Sequence, residues 1–150
     1  MNPLVLQLSE KIKTEATVWK IIAVLQVVIG LATVIINISD GELEGGLYGG
    51  LIILIAVRNF KISGEDLKFS QEIIKCPVGI VTKYEPIFPL IVDLAYNVFV
   101  GGVIGVVACA FGFMTRSFVV NNKQAFLEIE SAFNSTNNFN YSNQINYQNQ

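Results

Sequence analysis

Histidine is absent from these 150 residues, cysteine occurs only twice, and charged side chains make up only 15% of the chain. Without an imidazole the chain lacks the commonest general base and the commonest neutral metal ligand at physiological pH. Cys76 and Cys109 are too few for a disulfide framework and do not form a CxxC pair, so neither a staple nor a zinc site is expected. No glycine loop of the phosphate-binding kind and no nucleophile elbow is present. The net charge of −2, with no sustained basic run, argues against nucleic acid as a partner. An enzyme is therefore not expected, nor a cofactor or a bound metal.

The shortage of charge is uneven, and its distribution is the main signal. From Pro86 to Thr115, thirty residues carry one charged side chain, Asp93. Val18 to Ile38 and Gly45 to Val57 are similarly apolar. Blocked apolarity, rather than alternation every two or 3.6 residues, separates a membrane chain from a soluble core. A helix needs about 20 mostly apolar residues to cross a hydrocarbon layer of about 30 Å. The expected fold class is thus an all-α integral membrane protein, with four membrane segments at about 18–38, 43–60, 80–100 and 101–120 forming two helical hairpins.

The alternative is three spans, since the last stretch could be one steeply tilted helix. Charge bias decides for the hairpins. Half of the ten basic residues lie in the loop from Arg58 to Glu85, and Lys11, Lys13 and Lys20 precede the first segment. Lysine and arginine mark the cytoplasmic side, whereas acids have little influence. The turn at Ser39–Gly46 carries Asp40, Glu42 and Glu44 and no base, which places it outside. A turn near Asn97 to Gly102 then returns every basic residue to the inner face, with both termini cytoplasmic. A multi-pass protein of the cell membrane follows, its first segment an uncleaved signal anchor.

Amphipathic stretches flank this membrane domain of residues 18–133. Residues 1–17 place Val5, Leu8, Ile12 and Ala16 on one helical face, predicting a helix in the membrane interface. Trp19, Lys20, Arg58 and Arg116 are the expected anchors at headgroup depth. Within the cytoplasmic loop of residues 61–79, Ser63 followed by Asp66 resembles a capping box and predicts a short inner-surface helix stopped by Pro77. Phe118, Phe126, Ile129 and Phe133 predict a second interfacial helix over 118–133. Residues 134–150 hold no charge and ten Asn or Gln, the composition of a disordered tail.

Two sets of residues carry the functional expectation. Asp93 and Asn97, one turn apart, with Gln26 in the first segment, form a candidate intramembrane polar site. A carboxylate inside a span costs roughly 2.5–3.5 kcal/mol even on lenient scales, so it faces a bundle interior, a cavity or a partner. The second set is small residues: Gly45, Gly46, Gly49 and Gly50 in the second segment, and Gly101, Gly105, Cys109 and Gly112 in the last. Such stripes let helix backbones approach closely where lipid removes any hydrophobic preference. The expected function is a small non-enzymatic membrane protein acting through helix association, with itself or with another membrane protein, in a scaffold, accessory or immunity-like role. The alternative is a proton- or cation-coupled transporter or pore using Asp93.

Overall fold

The computed structural model describes the backbone of residues 2–148 and the side chains except those of 100–102 and 137–148. Among the described residues every regular element is helical. Helix α1, Pro3–Ser39, starts where the Asn2 side chain accepts a hydrogen bond from the Leu4 amide at 2.9 Å and Pro3 supplies a preset φ, the usual way to cover free amides at a helix start. It ends at Gly41, whose φ of +75° suits a residue without Cβ. Helix α2, Leu43–Lys75, follows. Pro77 then forces the preceding residue, Cys76, out of helical geometry. The short helix α3, Ile80–Tyr84, leads to α4, Phe88–Tyr96, a π-helical turn at Asn97–Gly101, α5, Gly102–Asn121, and α6, Lys123–Gln148.

Three helices are long and apolar enough to cross a membrane: α1, α2, and Val103–Asn121 within α5. The segment expected over 80–100 is not one helix. Pro86 and Pro89 lack the amide protons that would carry α3 into α4, and the chain breaks at Glu85–Ile87.

α1 and α2 share the most extensive contact in the molecule. Ser9 Oγ donates to the Ser70 carbonyl at 2.7 Å, Asn59 meets Gln26, and Gly30 meets Gly49. Rising numbers on α1 thus meet falling numbers on α2. α4 and α5 pair in the same sense: Asn97 lies against Gly105 and Cys109, Leu90 against Gly112, and the Glu85 carbonyl against Arg116.

The two pairs differ in reach. Glu15 on α1 packs against Gly112 on α5, and Arg58 on α2 against Asp93 on α4. Carried along the helices, these contacts bring the Asn97–Gly101 turn level with about Gln26 to Gly30. α1 continues to Ser39, roughly 13–20 Å farther at 1.5 Å per residue.

Burial divides the molecule into two zones. Beyond Lys20 on α1 and before Arg58 on α2, large apolar side chains face outward, among them Val28, Ile35 and Leu54 at 60–68% exposure. At the opposite end Val5, Leu8, Ile12, Ile73, Ile80, Val81, Val119 and Phe126 form a closed core. All ten basic residues lie in this end or at its border with the apolar zone.

This core corrects three expectations. The apolar face of residues 5–16 is buried against the C-terminal half of α2 and against α5 and α6, rather than offered to lipid. The inner-surface helix is the last half of α2. Gly64 alone does not break a helix, and Ser63 Oγ donates to the Phe60 carbonyl at 2.9 Å instead of capping. The stripe of 118–133 likewise turns inward: Phe126 is fully buried and meets Phe118 edge to face at 6.2 Å. An apolar stripe reads the same in sequence whether lipid or protein covers it. The backbone of helix α6 runs to Gln148, over the Asn/Gln-rich stretch that begins at Asn134. Residues 149 and 150 lie outside the described residues.

Candidate functional site

Asp93 faces α2, where Arg58 donates to its Oδ1 from both terminal guanidinium nitrogens at 3.1 Å. Asn97, one turn on, donates from Nδ2 to the Asp93 carbonyl at 2.7 Å and approaches Cys109 Sγ at 3.7 Å. Its Oδ1 is buried without a partner, against the bare Gly105 backbone. Gln26 is drawn elsewhere: its Oε1 accepts from Asn59 Nδ2 at 3.2 Å, and its Nε2 is buried without a partner. The three polar residues expected to form one site are thus two separate pairings, α4 with α2 and α1 with α2.

The glycines are used within the chain. A Cβ on Gly49 would lie 2.8 Å from the Gly30 carbonyl oxygen, and one on Gly30 2.9 Å from that of Gly49. Gly45 is covered by Asn37, Gly46 by Ile38, Gly105 by Asn97, and Gly112 by Leu90 and Glu15. Gly50 faces open space, and the surroundings of Gly101 fall outside the described residues. Both stripes thus meet neighbours within the chain, with Gly50 the exception. Gly30, which meets Gly49 backbone to backbone where α1 crosses α2, has its sequence signal in standing alone amid an apolar run.

The expected interface anchors also turn to the protein. Lys20 Nζ sits 5.5 Å over the Phe60 ring, Arg116 donates to the Glu85 carbonyl at 2.8 Å, and Arg58 holds Asp93. Trp19 lines a cavity of about 190 Å³ at the junction of the two zones.

That cavity is where α1, α2, α4 and α5 converge. Its apolar wall is Trp19, Ile62, Pro86, Pro89 and Leu90, and its polar groups include Glu15, Asn59, Asp66, Lys83, Tyr84 and Asp93. Lys83 Nζ is 2.7 Å from Asp66 Oδ1 and 4.0 Å from the Phe69 ring centroid. Glu15 is the residue that sequence reasoning missed. It lies three residues after Ile12 and four before Trp19, on the helical side they share. Burial pushes its carboxyl up from 4.5 to about 6, against hydrogen bonding from Thr115. Asp66 adds to the rise and Lys83 opposes it. One of its oxygens, Oε2, is buried with no hydrogen-bond partner.

Among the described residues no group of three His, Cys, Asp or Glu is placed to hold a metal ion. Cys76 is exposed and Cys109 buried, both free. Compared with known proteins, the chain matches no family model, no curated protein and no solved structure.

Proposed function

We propose that this chain is a non-enzymatic protein of the cell membrane whose four membrane segments form two antiparallel hairpins, with the basic end and both termini cytoplasmic. It works by lateral association with another membrane protein or a second copy, in a scaffold, accessory or immunity-like role. The supporting observation is an apolar groove of about 310 Å³ on the outer face of α1 and α2, lined by Ala23, Val24, Val27, Val28, Val57 and Phe60. It lies in the zone where lipid would otherwise be the only neighbour. In that setting association depends on close van der Waals fit between helices, and the groove is walled by Val24, Val27 and Val28 of α1 and by Val57 and Phe60 of α2.

Cross-linking in native membranes tests this reading. A cysteine at Val24, which is 53% exposed, is expected to give a cross-linked species of defined mass, and Val57→Trp, which fills the trough, to abolish it. A protein that remains monomeric in both membranes and mild detergent, with no cross-link at this position, would refute association.

A second reading, a proton- or cation-coupled transporter using Asp93, draws on the position of Asp93 in the junction cavity. Reconstituted vesicles separate the two. Coupled flux abolished by Asp93→Asn in a folded protein supports transport, and a loss of thermal stability without any wild-type flux supports a structural bridge to Arg58.

A further inference from the structure

We propose that the junction cavity binds a small organic ammonium ion of about benzylammonium size, its nitrogen on Glu15 and its apolar body against Trp19, Pro86, Pro89 and Leu90. This does not depend on the association reading, since the cavity and the α1–α2 groove have different linings.

The inference rests on two observations at one residue: Glu15 has a buried acceptor without a partner, and Glu15 lines a space of the right size. Buried acceptors are nearly always paired, and an exception calls for a missing donor. Glu15 Oε2 is such an exception. The charged ends of the nearby cations are engaged elsewhere, Lys83 with Asp66 at 2.7 Å and Arg58 with Asp93 at 3.1 Å, while Arg116 Nε is itself buried without a partner. Arg116 Nη2 is on the Glu85 carbonyl, and Lys11 and Lys20 lie over Phe118 and Phe60. Of the three acids in the wall, Glu15 is thus the one without an ion pair among the described residues.

The volume and the wall select the class of ligand. An apolar cavity of about 150 Å³ holds a benzene-sized molecule, and this one is about 190 Å³. Trp19 and Tyr84 line the space, and aromatic rings attract an ammonium group; Lys83 Nζ already lies 5.7 Å from the Tyr84 ring centroid, which leaves Trp19 as the ring for a ligand. A bare divalent cation would require six or more oxygen ligands, which a wall containing Ile62, two prolines and Leu90 does not provide. A proton would satisfy Glu15 but leave the volume unused.

Trp19 is the one tryptophan in the chain, so its fluorescence reports on this cavity directly. The intact protein in detergent micelles near pH 7.5 is titrated with benzylammonium chloride and, separately, with benzyl alcohol, which has a similar shape and no charge. Saturable quenching or a spectral shift by the ammonium ion is expected, with benzyl alcohol at least tenfold weaker. Glu15→Gln should weaken the response at least tenfold. Leu90→Phe, which fills the cavity and leaves the carboxylate in place, should abolish it. The response should also fall as pH drops below about 6, with Asp66, Lys83, Asp93 and Arg58 as the other charged groups around the site. Equal responses to the two probes would mean partitioning into the micelle and would overturn the proposal. A change in Trp19 emission with pH but none with ligand would overturn it too, making Glu15 a protonation site only. If Glu15→Gln fails to fold, the neutral probe and Leu90→Phe still decide.

Discussion

Glu15 disfavours the fold when it is charged. Its carboxyl titrates at about 6 in the folded protein against an ordinary 4.5, so between those values the folded state holds more protons than the unfolded one. Its contribution is most favourable below about 4.5 and is lost as pH rises through about 6. A shift of that size corresponds to about 2 kcal/mol. Glu15→Gln, if no ligand is present, is expected to melt at a higher temperature than wild type near pH 7.5 and at the same temperature near pH 4, as read by thermal denaturation in detergent. The opposite residue-scale case is Gly105, where any Cβ would run into Asn97 Oδ1. Gly105→Leu should cost about 1–3 kcal/mol by overpacking, visible as a lower melting temperature with no change in oligomer mass. A changed mass would show that Gly105 faces a partner chain.

Among the elements, α6 joins through Phe126 the same core that holds Leu8 and Ile12 of α1. Removing the Phe126 ring should cost about 3–5 kcal/mol. Because α6 meets the rest of the molecule through few residues beyond this core, Phe126→Ala is expected to release it. Limited proteolysis would then cut between Asn121 and Lys123 in the variant and not in wild type. The three apolar helices and the acidic turn between the first two were legible in the sequence, because each follows from local composition. The lengths of α1 and α2 were not. Trp19, Lys20 and Arg58 mark an expected border, but nothing local to them shows that each helix continues past it, and the residues that cover the emerging stripes, Ile73 and Phe126, lie far away in sequence. Asp93 stood out because its neighbours are apolar. Glu15 did not, since charged residues surround it in sequence and only folding places them on other sides of the helix.

At the scale of the whole molecule, the ten basic residues at one end and the three acids of the Ser39–Gly46 turn at the other set the expected orientation. Cys76 is exposed at the basic end and serves as a native label. In oriented vesicles an impermeant thiol reagent applied outside should miss Cys76 and a cysteine placed at Asn121, and should modify one placed at Asp40. Labelling at 121 together with 40 would mean that the α4–α5 pair crosses to the far side, leaving three spans.

The unequal reach of the two helix pairs has a consequence for the lipid itself. A bilayer that covers the apolar length of α1 and α2 would find α4 and α5 stopping short of its far surface by roughly 13–20 Å, about the thickness of one leaflet. Acyl chains there must either fold over the Asn97–Gly101 tip or draw the far headgroups inward. A dent of this kind costs fractions of a kcal/mol per Å of mismatch and is relieved in a thinner membrane. The protein would therefore collect where the bilayer is thin, and two copies that shared one dent would attract each other without touching.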